Sequence, residues 1–163
     1  MKHHNSQKGF GLIEVMVGAG IITVAILALF ASYNIYLSYA FTNQNNVRAA
    51  SLLEEGVEAV KLLRDSSWTS KIATLSSGTT YYLYWDNTNS IWTATTTVQP
   101  YIDSIFNRTF TVASVNRDGN NDIAASGTAD SGTKLITVNV TYKSGHSTTT
   151  STVSTYITNL QSN

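Results

Sequence analysis

The chain has 163 residues, enough for one modest domain with a buried core. Ten basic and ten acidic residues balance, and only 12% of residues are charged, about half the usual soluble fraction; no charge excess draws the chain onto nucleic acid or an anionic membrane. With no cysteine and one proline, a disulfide scaffold, thiolate metal sites, cysteine catalysis and a proline-rich stalk are excluded.

Three unlike segments follow one another: 1–9, 10–65 and 66–163. Residues 1–9 are a short polar leader whose only formal charges are Lys2 and Lys8. From Phe10 to Ala31 the chain is apolar apart from one charge, Glu14, and no further charge appears before Arg48. Roughly 20 apolar residues span a bilayer core. This stretch is therefore a membrane-helix candidate, with its basic leader on the cytoplasmic side.

The helix is expected to continue to about Arg64. Val47, Ala50, Leu53, Val57, Val60 and Leu63 recur three or four apart, which predicts one apolar stripe. Glu58 and Lys61 form a favourable pair between the stripe residues, whereas Glu54 and Glu58 repel mildly. Asn43–Asn46 marks a weak spot, because asparagine is a poor helix former. One helix from Phe10 to Arg64 is about 80 Å long. No compact domain of this size surrounds it, so lipid or other chains must cover half.

Residues 66–163 contain 36 serines and threonines. Thr79–Trp85, Ile91–Thr97, Arg108–Val112, Lys134–Tyr142 and Ser147–Ile157 have strand composition or alternate apolar and polar residues, which predicts about five strands, largely an antiparallel meander. Asp86–Ser90, Asp118-Gly119 and Lys143–His146 are turn signals. The expected fold class is α+β: a long N-terminal helix, half membrane-spanning and half amphipathic, packed on a C-terminal antiparallel sheet. The alternation argues against a glycosylated stalk. The sequons Asn107-Arg-Thr109 and Asn139-Val-Thr141 read as chance matches, since the second sits inside the clearest strand.

The string Lys8-Gly9-Phe10-Gly11-Leu12-Ile13-Glu14 resembles the cleavage and methylation site of type IV prepilins and pseudopilins. It has the basic leader ending in Gly, then Phe, then an apolar helix with Glu at its fifth residue. The resemblance implies cleavage between Gly9 and Phe10, methylation of the new Phe10 amine, and assembly through Glu14, which is thought to meet the Phe amine of a neighbouring subunit. The alternative for Glu14 is an intrachain contact or a place among the headgroups. The resemblance also implies the partners: a prepilin peptidase, inner-membrane assembly machinery, membrane lipid before assembly, and other pilin subunits afterwards. The role implied is a structural, non-enzymatic subunit of a type IV pilus-like filament, or a pseudopilin of a type II secretion or competence machine. Gly11 departs from the hydroxyl residue common there, and Ala31 stands where major pilins commonly carry proline. Gly11, Gly18, Ala19 and Gly20 would permit close helix approach, or are ordinary membrane-helix composition.

Two weaker signals lie in the last segment. Asp118, Asn120 and Asp122 place oxygen ligands at every second position, like the start of a calcium loop. Ile123 and Ala129 fall where glycine and glutamate belong, so an ordinary Asp/Asn turn is the competing reading; no other cofactor is implied. Tyr82, Tyr84 and Trp92, with Tyr81 and Trp85, read first as sheet packing, and their exposed members as a surface for stacking on glycan or nucleic-acid bases. That second reading makes the chain a membrane-anchored binding module. No catalytic constellation appears: His3 and His4 lie in the leader, His146 in a turn, and there is no Gly-x-Ser-x-Gly elbow, phosphate loop or dinucleotide fingerprint. A secretory signal would have a shorter apolar run and leave Glu14 unexplained. A plain anchor fits the length without the Gly-Phe-x-x-x-Glu pattern.

Overall fold

The structure, a computed structural model, describes residues 11–144 and 147–160. The chain divides into two compact units, Met1–Thr42 and Asn43–Asn163. One helix, α1, runs Leu12–Ser66 and contributes to both. Asn43–Asn46 does not interrupt it; Asn46 instead accepts a hydrogen bond from the Tyr142 hydroxyl, so its side chain is spent on the sheet rather than on its own backbone. After α1, Ser67 caps a π-helical turn, Trp68–Ile72, accepting the Ser70 N–H at 3.3 Å.

Among the described residues six antiparallel strands follow: β1 Thr80–Asp86, β2 Ile91–Thr95, β3 Asn107–Arg117, β4 Ile123–Ala124, β5 Thr128–Ser144 and β6 Ser147–Thr158. Their order is β2-β1-β3-β5-β6, with β4 paired to β3. The expected meander therefore holds for the β1–β2 hairpin and for the β3–β5–β6 run, and breaks where β3 returns to β1 rather than to β2. The segment between β2 and β3 makes that return. It is pinned by the Ile102–Phe106 bridge, and Asp103 and Ser104 adopt left-handed φ of 50° and 59°.

Alternation sorts the two faces of the sheet as expected. Phe110, Val112, Ile136, Val138, Val140 and Tyr142 are buried on the inner face. Tyr81 packs on Phe110 at 5.5 Å between ring centres, and Phe106 on Tyr142 at 5.3 Å. The outer face carries hydroxyls paired across strands: Thr137 with Ser154 (2.9 Å), Thr141 with Thr150 (2.9 Å), and Thr152 donating to Asn139 (2.8 Å). Asn107 and Asn139, the sequon asparagines, both lie on this face within strands. β6 forms one edge of the sheet, and Ser147–Thr158 contains no charge, proline or glycine.

The helix stripe that packs on the sheet differs from the expected one. The buried residues are Ala49, Leu52, Gly56, Ala59, Val60 and Leu63, whereas Val47 is 70% exposed and Ala50 is also exposed. Leu53 and Val57 are half-buried at the margin. The reason is close approach. A Cβ on Gly56 would stand 2.8 Å from Val138 Cγ1 and 3.1 Å from Arg108 Cδ. Val60 and Leu63 of the expected stripe are buried as predicted, and beside them the contact line takes in Ala49, Gly56 and Ala59, small residues that large-apolar spacing does not mark.

Candidate assembly site

Glu14 is the only formal charge in α1 before Arg48, and it lies in the first turn. Its carboxylate accepts the Gly11 backbone N–H at 3.0 Å, while the Gly11 carbonyl accepts from Glu14 N (3.0 Å) and Val15 N (3.3 Å). Gly11 is thus the cap and Glu14 reaches back to it, one half of a capping box. A serine or threonine at the cap would supply the other half; Gly11 has no side chain to do so. The carboxylate also sits favourably at the positive end of the helix dipole. Lys8, Gly9 and Phe10, the residues of the expected cleavage and methylation site, lie outside the described residues, as does His146.

From Leu12 to Phe41 no large apolar side chain is buried. Leu12 is 82% exposed, and Phe30 is 62% exposed. By length and composition this helix is able to cross a membrane. Two of its polar side chains return to their own backbone: Thr23 donates to the Ala19 carbonyl (2.8 Å) and Asn34 to that of Phe30 (3.0 Å). A Cβ on Gly18 or Gly20 would meet nothing within 4 Å.

The remaining candidate residues separate. Tyr82 and Tyr84 stand on the outer face opposite Thr95 and Thr93. Trp92 is on the other face, half-buried, edge-on to its cross-strand partner Trp85 at 5.7 Å. Tyr82 thus stands apart from Trp92, whereas Tyr84 and Trp92 both line one cleft with Trp85 and Arg108. Asp118 Oδ1 accepts the backbone N–H groups of Asn120 (2.8 Å) and Asp122 (3.0 Å), and Asp118 N donates to the Asp122 carbonyl. This is an Asx turn, completed by Asn121 at φ 67°. Among the described residues there is no group of three or more His, Asp or Glu that could hold a metal.

Two arginines that sequence reasoning missed organise the domain. Arg117 Nε donates to Asp130 at 2.6 Å, and its other nitrogens reach the Asn121 carbonyl and Thr133. The hydrogen bond from Thr133, together with Arg117, holds the Asp130 carboxyl below its ordinary pKa. Arg108 is the more unusual, since its side chain is only 3% exposed. It pairs with Glu55 (3.1 Å), donates to the Leu52 carbonyl (3.4 Å), lies 5.0 Å over the Trp92 ring, and leaves its Nε–H without an acceptor. The signal was present: Arg108 shares its strand parity with Phe110 and Val112, so alternation alone places it inside.

No curated protein and no solved structure matches the chain. Residues 4–30 match the family model of the prokaryotic N-terminal methylation motif. The matched span takes in the leader from His4 with Lys8, the Gly9–Phe10 junction, Glu14 and the start of the exposed apolar helix. This chain accordingly carries the N-terminal signature of type IV prepilins.

Proposed function

We propose that this chain is a structural subunit of a type IV pilus-like filament, not an enzyme. It is cut after Gly9 by a prepilin peptidase, methylated at Phe10, and assembled from the inner membrane into a filament outside it. The observation that carries this reading is the methylation-motif match together with a lone acid at the head of an apolar helix whose large side chains from Leu12 to Phe41 are exposed. A charge at the bilayer centre costs about 2.5–3.5 kcal/mol, and less near the ends. Glu14 spends one acceptor on the Gly11 N–H. Cleavage creates a positive amine next to Gly11, and methylation keeps that charge, so carboxylate and amine of adjacent subunits neutralise each other when helices exchange lipid for one another.

Mass spectrometry of the cellular protein tests the processing: the mature chain begins at methylated Phe10. Glu14→Ala is expected to be processed normally and to vanish from the sheared filament fraction. A mature chain that keeps its leader, or a Glu14→Ala variant that polymerises like wild type, overturns the reading. Wild-type subunits found in a short envelope-bound filament instead of sheared surface filaments assign the chain to the secretion or competence pseudopilins.

A further inference from the structure

We propose that a cleft beside Arg108 binds one unit of a neutral saccharide. The cleft lies between the Arg48–Glu55 stretch of α1, the two tryptophans of β1 and β2, and the Gln99–Ile102 segment that leads to β3. Its volume is about 330 Å³, the size of a small-ligand pocket rather than a groove for a chain. The inference is independent of filament assembly, because every group it uses belongs to the unit Asn43–Asn163.

Three observations set the ligand's chemistry. The first is a fixed aromatic wall. Trp92 is held edge-on by Trp85 and capped by the Arg108 guanidinium, while Trp85, 45% exposed as a whole, lines both this cleft and a neighbouring one beside Leu62 and Lys71. A half-exposed indole held by its neighbour is a platform for the apolar C–H face of a pyranose ring. The second is charge balance. Arg108 is matched by Glu55 (3.1 Å) and Arg48 by Asp103 (3.1 Å), so no uncompensated charge awaits an ionic ligand. The third is an excess of planar hydrogen-bonding groups. The Glu55 carboxylate is half exposed; Gln99, whose Nε2 donates to the Thr97 carbonyl at 3.2 Å, offers its amide oxygen; and Arg48, two of whose nitrogens donate to Asp103, is exposed. Such forks suit the adjacent hydroxyls of a sugar.

Arg108 itself supports the assignment. An apolar side chain of similar volume would fill the core without leaving a donor unpaired. The arginine instead fixes both Trp92 and Glu55, one apolar and one polar wall of the same cleft.

The test uses the full-length chain in amine-oxide micelles, which present no sugar headgroup. Calorimetric titration with the methyl glycosides of glucose, galactose, mannose and N-acetylglucosamine, and with methyl glucuronide as the acidic probe, reads binding directly. Saturable binding of at least one neutral glycoside is expected, unaffected by added salt and weakened at least about tenfold by Trp85→Ala and by Gln99→Ala. Melting temperatures establish that the variants are folded; Gln99 is half-buried in a connecting segment, so its variant keeps the test usable if Trp85→Ala unfolds. Binding of the glucuronide alone, or of no neutral glycoside, overturns the proposal. So does undiminished binding in a folded variant of either residue.

Discussion

The two stretches of α1 solve the burial problem in opposite ways. From Ala49 to Leu63 the helix presses small residues against its own sheet, and the site of Gly56 has no room for a methyl group. From Leu12 to Phe41 the large apolar side chains lie open, and Gly18 and Gly20 face empty space. Glycine in the first stretch answers a demand made within the chain. Glycine in the second answers nothing among the described residues. Composition alone does not separate the two cases; what lies where a Cβ would stand does.

The sharpest way to break this comparison is a matched pair of phenylalanines. Phe110→Ala removes a fully buried ring and is expected to cost about 3–5 kcal/mol in chemical unfolding followed by tryptophan fluorescence. Phe30→Ala is expected to leave the same transition unmoved, and a shift there would mean that the open stretch supports the fold. A second pair compares the glycines. At position 56, overpacking of about 1–3 kcal/mol against the stiff Val138 outweighs the ~1 kcal/mol that alanine gains over glycine in a helix. Gly56→Ala thus lowers the melting temperature. Gly18→Ala does not, and its effect is confined to filament yield.

The polar side of the domain is probed by acid. The folded Asp130 pKa is depressed by Thr133 and Arg117. Its contribution is complete above the unfolded value of 3.8 and fades as pH falls through the lower folded value. Asp130→Asn should remove that part of the acid dependence from a plot of melting temperature against pH. An unchanged acid limb would discount the Arg117 cluster as a support. The smallest effect is expected at the head of α1. Gly11→Ser completes the capping box and slows amide exchange over Leu12–Val15 by an amount worth a few tenths of a kcal/mol.

Much of this fold was legible because it rests on local periodicity. The extent of α1, the five main strands and the sorting of Ser and Thr to one face follow from spacing alone. The packing line of the helix was not, because Ala49, Gly56 and Ala59 are selected by how near the sheet comes, and that distance is set by Val138 and Arg108 far along the chain. Strand order escaped for a similar reason: no local signal tells β3 to pair with β1 over only Thr80–Tyr82. β4 is two residues long and exists only as a partner of Asn116 and Arg117. At the N-terminus the position of Glu14 was plain from the sequence, whereas its bond to Gly11 required the backbone path of the first turn.

The bare margin of β6 has a practical consequence. Natural sheets blunt such borders with lysine, proline or a bulge, and Ser147–Thr158 uses none of these. A truncated, water-soluble version prepared for crystallography would carry twelve uncharged residues with unpaired main-chain groups into free solution, where two copies can zip into cross-β aggregates. Storage at high ionic strength would do nothing to prevent it, and a single lysine grafted onto that border would.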